Sequence, residues 1–156
     1  MDKEINVVDL LALQDLALAY AEAVDMRDSA GVEAVFRPDG RLSIYPSGAE
    51  EPALVLTGSA ELREIAGRLL DENGFGRTLH VMANHRVALD GDTASGTIYC
   101  QANLLAETEG KASNLAMYVK YVDEYVRVDG TWFISHRKAL QQWSELRPVL
   151  TEQVEF

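Results

Sequence analysis

Two β-strand patterns joined by a tight turn occupy residues 115–140, LAMYVKYVDEYVRVDGTWFISHRKAL, and this stretch decides the fold. It is rich in valine and tyrosine, which favour extended backbone. Asp129-Gly130 interrupts it, and glycine accepts the positive φ that a tight hairpin requires. We therefore predict antiparallel strands over residues 115–128 and 131–140.

A second pair of strand patterns precedes this hairpin. Residues 78–89 and 93–105 also predict strands, with valine in the first and threonine, isoleucine and tyrosine in the second, and Asp90-Gly91-Asp92 marks a hairpin turn between them. Residues 107–112 are polar and predict a longer turn to the next strand. The four strands therefore predict an antiparallel meander. Residues 41–45 predict a shorter strand earlier in the chain, followed by a loop over 46–52.

Three helical patterns precede the meander. They cover residues 7–26, 28–36 and 58–74. In the first, Val8, Leu11 and Leu18 belong to a set of apolar residues that recurs at helical spacing. The second must stop before Pro38, because proline cannot continue a helix. Helices followed by an antiparallel meander predict an α+β fold, with three helices packed on one face of a curved sheet.

The length of the chain predicts its domain organisation, and its net charge argues against some classes of partner. The 156 residues suffice for one domain with a sizeable core, and no linker or repeat divides them, so we predict a single domain over residues 1–156. Fourteen basic and 25 acidic residues give a net charge of −11. A field of that sign repels nucleic-acid phosphates and anionic lipid, so we expect neither nucleic acid nor a membrane as a partner.

Three features of the sequence predict a cytoplasmic protein. No apolar run approaches the roughly 20 residues of a membrane-spanning helix. The N-terminus, MDKEINVVDLL, does not resemble a signal peptide. The single cysteine, Cys100, cannot form an internal disulfide, which fits a reducing compartment.

Asp25 and His80 are the first candidates for chemistry. Asp25 ends the first helical pattern, where a carboxylate opposes the helix dipole; a solvated acid or a cap for the next turn would also explain it. Strand alternation places Leu79 and Val81 on one face of the sheet and His80 with Met82 on the other. A buried imidazole that is bonded to a carboxylate is a usable general base near neutral pH. The alternative is a core histidine bonded to a backbone carbonyl.

Arg137, Tyr20 and Tyr45 could assist such a base. An arginine on a cavity wall can stabilise a developing anion through its planar fork of donors, although a surface ion pair would also explain Arg137. The two phenols could donate a proton or a hydrogen bond, and aromatic packing is the alternative for both. His85 and His136 have weaker claims, as surface or hydrogen-bonding residues.

Several other chemistries have no support in the sequence. It contains no phosphate-binding glycine loop, no CxxC or HExxH motif and no GxSxG elbow, and its three histidines lack metal-ligand spacing. We therefore expect neither a metal nor another cofactor. Proton transfer in a dry pocket is the chemistry that these residues offer.

The chain resembles the SnoaL-like branch of the nuclear-transport-factor-2-like superfamily. The residues that carry the resemblance are Leu13-Gln14-Asp15-Leu16 with Tyr20 and Val24-Asp25, Thr78-Leu79-His80 with Asn84, and Glu124-Tyr125-Val126-Arg127 leading to Asp129-Gly130-Thr131-Trp132. The pattern is most similar to the group of scytalone dehydratase, bile-acid 7α-dehydratase and hexachlorocyclohexane dehydrochlorinase. This resemblance implies a cone-shaped α+β barrel.

The resemblance also implies a site and an activity. In that group an Asp–His dyad stands at the mouth of the cone, and Asp25 and His80 occupy the matching positions; Tyr20, Tyr45 and Arg137 match further site residues. The implied activity is that of a cofactor-independent lyase, a dehydratase, on a small hydrophobic substrate of aromatic, polyketide-like or steroid-like type. An isomerase or cyclase with the same dyad, a non-catalytic small-molecule binder and a structural subunit are the alternatives. The resemblance further implies a homo-oligomer, a dimer or a trimer.

Overall fold

The computed structural model describes residues 6–150, in which helices pack on an open, curved, six-stranded sheet. The helices are α1 (Val7–Asp25), α2 (Ser29–Val35), α3 (Gly58–Leu62) and α4 (Arg68–Glu72), with a 3₁₀ turn at Arg63–Ala66. The strands are β1 (Phe36–Tyr45), β2 (Leu54–Thr57), β3 (Arg77–Asp90), β4 (Thr93–Thr108), β5 (Lys111–Val128) and β6 (Thr131–Pro148). No helix in this part of the chain is long and apolar enough to cross a membrane.

The strand order across the sheet is β2-β1-β6-β5-β4-β3. β3 to β6 pair in chain order as an antiparallel meander, which confirms the predicted α+β fold with a mostly antiparallel sheet. β1 pairs parallel to β6, and this pairing brings Leu42 beside Arg137. β2 pairs antiparallel with β1. β2 was not predicted from the sequence, because four residues are too few for strand alternation to be recognised.

Two predicted element boundaries were wrong. The turn between β4 and β5 is a tight one at Glu109 and Gly110, which have φ angles of 54° and 73°, instead of a six-residue turn. The hydrogen-bonded pairing of β4 with β5 extends beyond the apolar residues of both strands. The polar residues at the strand ends were therefore interpreted as a loop. The third predicted helix is divided at Gly67, whose φ of −124° and ψ of −103° are not helical.

The first helix buries only part of its apolar surface. Its core-facing residues are Leu13, Ala17, Tyr20, Ala21, Ala23 and Val24. Leu13 is completely buried, whereas Leu11 is 59% exposed, and Val8 and Leu18 are exposed as well. α1 is apolar around much of its circumference, so the hydrophobic pattern does not select the face that meets the sheet.

A β-bulge in β3 redirects the side chains that follow it. The pairing of β3 with β4 shifts between Ala83 and Arg86, and Asn84 takes a φ of 53° inside the bulge. An extra residue reverses the alternation of faces beyond it. His85 consequently points to the same concave face as His80, toward the side chain of Tyr125.

Replacing Leu13 with alanine is expected to lower the free energy of unfolding by about 2–5 kcal/mol, because the change leaves a cavity in the core. Leu11→Ala is the matched control on the exposed face of α1, expected to change that energy by less than about 0.5 kcal/mol. Urea denaturation of both variants measures the difference. Equal losses would contradict the orientation of α1 described above.

Candidate active site

Asp25 and His80 are joined by a short hydrogen bond of 2.6 Å between Oδ1 of the carboxylate and Nδ1 of the imidazole. The backbone N–H of His80 donates to Oδ2 at 2.8 Å, and the hydroxyl of Thr78 donates to Oδ1 at 2.9 Å. The Asp25 side chain is 17% exposed and that of His80 is 9% exposed. The end of α1 is thereby fixed to the beginning of β3.

Asp25 is ionised in this arrangement. Burial raises the pKa of Asp25, but the hydrogen bonds from the His80 ring, the His80 backbone and Thr78 outweigh burial and hold the pKa below its usual value. An ionised carboxylate only accepts hydrogen bonds, so Nδ1 of His80 carries the proton. In a neutral imidazole whose proton is on Nδ1, the other ring nitrogen, Nε2, keeps a lone pair.

Arg27 positions Thr78, one of the hydrogen-bond donors to the Asp25 carboxylate. Its Nη1 donates to the hydroxyl oxygen of Thr78 at 3.0 Å and to the carbonyl of Val24 at 3.2 Å, and its Nη2 donates to the carbonyl of Phe75 at 2.9 Å. Because the Thr78 oxygen accepts from Arg27, its own proton is directed to Asp25. Arg27 has a φ of 58°, an unfavourable conformation that these contacts offset.

Arg137 is completely buried in an ion pair with Asp123. Its Nε and Nη2 donate to the two carboxylate oxygens at 2.9 and 2.7 Å. The guanidinium carbon lies 4.5 Å from the ring centroid of Tyr20 and 4.4 Å from that of Tyr121. The alternative of a surface ion pair is therefore wrong. Nη1 of Arg137 has no hydrogen-bond partner among the described residues.

Tyr20 and Cys100 lie near this ion pair, and both are protonated. Burial raises the pKa of Tyr20 to about 12, although the charge of Arg137 opposes the shift, so the phenol is a neutral donor. Burial raises the pKa of Cys100 to about 11, and the charges of both Arg137 and Asp25 act on that thiol. Cys100 thus lies within electrostatic range of both pairs.

Two other candidate residues lie apart from the dyad. Tyr45 is half-buried at the end of β1 beside Leu140, and the structure of residues 6–150 gives it no hydrogen bond to the dyad. His136 is buried on the convex face, where its ring contacts Arg41 and its Nε2 lies 3.0 Å from Oγ of Ser43. Burial and then Arg41 lower the pKa of His136.

Thr78 and His85 have a larger part in the site than the sequence indicated. Thr78 could have been found, because it lies two residues before His80 on the same strand face. His85 could not have been found from the sequence, because its side chain faces the concave side of the sheet only as a result of the bulge. In the part of the chain that the structure covers, no group of three histidine, cysteine or acidic side chains is arranged to hold a metal ion.

Comparison with known proteins identifies the family. The chain matches the SnoaL-like domain over residues 6–138, and it therefore belongs to that family. It is 26% identical over 132 residues to an uncharacterized protein of Mycobacterium tuberculosis, a match that covers 85% of this chain and 84% of the relative.

Solved structures share the fold. A putative scytalone dehydratase from Novosphingobium aromaticivorans has a TM-score of 0.75 and 20% identity, over 90% of this chain and 88% of that one. A hexachlorocyclohexane dehydrochlorinase from Novosphingobium barchaimii has a TM-score of 0.73 and 18% identity, over 96% and 94% of the two chains. At these identities the similarity shows the architecture.

Replacing Asp123 with asparagine is expected to lower the free energy of unfolding by about 3 kcal/mol or more, because buried Arg137 loses its counter-charge. Asp92→Asn breaks an ion pair with Arg127 in which Asp92 is exposed, so this control is expected to leave stability nearly unchanged. Chemical denaturation at neutral pH compares the two variants. A small loss in Asp123→Asn would contradict the importance of the buried pair.

The stabilisation from ionised Asp25 is expected to depend on pH. The pKa of Asp25 is depressed in the folded state, so this stabilisation is fully present above about pH 4 and is lost as pH falls through the folded pKa. The stability difference between the natural protein and Asp25→Asn should therefore shrink as the pH falls from about 4 toward 2. Urea denaturation across that range measures it, and a constant difference would show that the pKa of Asp25 is not depressed in the folded protein.

Proposed function

We propose that this protein is a cofactor-independent lyase of the dehydratase type, in which His80 is the general base and Asp25 orients it. The observation that supports this proposal most is the 2.6 Å bond between Nδ1 of His80 and Oδ1 of Asp25. With the proton on Nδ1, the lone pair of Nε2 can accept a proton from substrate, and the nearby carboxylate stabilises the imidazolium that forms.

The proposed reaction is an elimination. Nε2 of His80 removes a proton from a carbon next to a carbonyl or conjugated group, the C–H electron pair becomes the new double bond, and the neighbouring hydroxyl leaves as water after receiving a proton. Tyr20 is the proposed donor of that proton, because its raised pKa keeps it protonated. Tyr45 lies apart from the dyad and is not part of the proposed mechanism. Arg137 stabilises developing negative charge through Nη1, since its other donors are occupied by Asp123.

The proposed substrate is a small hydrophobic, hydroxylated compound of aromatic, polyketide-like or steroid-like type. The apolar side chains around the dyad favour such a molecule, since β4 presents Cys100, Ala102 and Leu104 to the buried face. Two proteins with the same fold are named for eliminations, a putative scytalone dehydratase and a hexachlorocyclohexane dehydrochlorinase. Their names support the reaction class for this chain.

The test is turnover of a panel of bicyclic aromatic β-hydroxy ketones in D₂O, followed by mass spectrometry and NMR. His80→Gln and Asp25→Asn are expected to reduce the rate of water loss by about 10²- to 10⁴-fold, the usual contribution of a positioned base. The matched control is His136→Gln, a buried histidine on the opposite face of the sheet, expected to retain activity.

The products distinguish the alternatives. Deuterium incorporation without loss of water, when it depends on His80, would assign an isomerase with the same dyad and overturn the dehydratase. Saturable binding with neither exchange nor elimination would assign a non-catalytic carrier. Full turnover in His80→Gln would overturn the role of the dyad.

A further inference from the structure

A crevice separates α1 from the concave side of β3 at the bulge. It has a volume of about 170 Å³ and is lined by Gln14, Ala17, Leu18, Met82, Asn84, His85 and others. Its apolar lining includes Ile98, which is completely buried. A cavity of about 150 Å³ accommodates one benzene ring, so the crevice is large enough for a single aromatic ring. Met82 lies two residues from His80 on the same strand face, so the crevice begins beside the dyad.

A chain of hydrogen bonds runs inward from the crevice. Nε2 of His85 lies 3.3 Å from the hydroxyl oxygen of Tyr125, and this hydroxyl donates to Oδ2 of Asp123 at 2.8 Å. Asp123 is held in turn by Arg137. A phenol has one proton, and here it is directed to the carboxylate. The oxygen of Tyr125 can therefore only accept from His85, which places the His85 proton on Nε2.

The remaining nitrogen of His85 is a free acceptor. Burial lowers the pKa of His85, with Asp123 acting in the opposite direction and Arg137 adding to the effect of burial. The ring is therefore neutral at neutral pH, and Nδ1 keeps its lone pair. Within residues 6–150, Nδ1 has no hydrogen-bond partner, while the ring itself lines the crevice. A neutral imidazole with a fixed tautomer is selective, because it can bind only a donor at that nitrogen.

We propose that this crevice binds the hydroxyl-bearing ring of a small aromatic compound, whose phenol-type hydroxyl donates to Nδ1 of His85. The ring packs against Ala17, Met82 and Ile98, and the amides of Gln14 and Asn84 lie at the polar side. The identification of this ring as part of the substrate of the His80 dyad rests on the proposed function. The binding of the ring at His85 is independent of that function. His85 would then select hydroxylated rings over their ethers.

The experiment compares two probes, phenol and anisole. Phenol has a hydroxyl group that can donate a hydrogen bond, whereas anisole is its methyl ether and has no such donor. Both are titrated into protein labelled with ¹⁵N at histidine, and the ring nitrogens of His85 are followed by NMR. Phenol is expected to bind about tenfold more tightly than anisole, the effect of one hydrogen bond in a partly dry site. Addition of phenol should change the ¹⁵N chemical shift of Nδ1 of His85 more than that of Nε2.

Two variants and one control test the tautomer argument. His85→Phe removes the acceptor and should abolish the preference for phenol. Tyr125→Phe leaves His85 in place but removes the group that fixes its proton, and should reduce the preference. His136→Gln should retain it. If a variant does not fold, the ¹⁵N shifts of the unaltered protein still decide, because a His85 protonated on Nδ1 overturns the proposal.

The two proposals fail separately. Equal affinities for phenol and anisole overturn the His85 site, even where His80→Gln loses turnover. Retained turnover in His80→Gln overturns the dyad but leaves a measured preference for phenol as support for the His85 site. Asp25→Asn is expected to keep that preference, because Asp25 makes no contact with His85.

Discussion

Three hydrogen bonds from the beginning of β3 to the carboxylate of Asp25 hold the end of α1 against the sheet, and the dyad depends on them. A carboxylate at the C-terminal end of a helix opposes the macrodipole and costs up to about 1 kcal/mol. Hydrogen bonds to a charged acceptor contribute about 1.5–3 kcal/mol each, so the contacts from Thr78 and His80 outweigh that cost. The same contacts orient the imidazole, which joins the packing of the helix to the chemistry proposed for His80.

The concave face contains two histidines whose protons are positioned by buried acids in opposite ways. Asp25 bonds His80 directly and leaves Nε2 as the free acceptor, whereas Asp123 acts on His85 through Tyr125 and leaves Nδ1 free. Neither acid is an isolated buried charge, because each is fully hydrogen-bonded. Asp123 has a second function, since it neutralises Arg137 between two tyrosine rings. The hydrogen-bonded polar groups of the interior therefore form two clusters, one around Asp25 and one around Asp123.

Much of this arrangement could be predicted, and the failure that affects the site most has a definite physical cause. The meander was predicted because its hairpin turns contain Gly91 and Gly130, both with positive φ. The pairing of Asp25 with His80 was expected only from the resemblance, since each residue alone also fitted a structural role. The bulge at Asn84 was missed, and with it the orientation of His85. A bulge depends on how two strands pair, and alternation along one strand does not show it.

Local pattern was enough to predict that helices precede an antiparallel meander, because strand and helix periods are properties of the backbone itself. Tertiary structure alone decided which face of α1 is buried, that Arg137 pairs with Asp123, and which nitrogen of each concave-face histidine carries the proton. These outcomes depend on groups that are distant in the chain: 55 residues separate Asp25 from His80. A buried charge takes whichever partner the fold brings within hydrogen-bond distance, and no periodicity in the sequence encodes that partner.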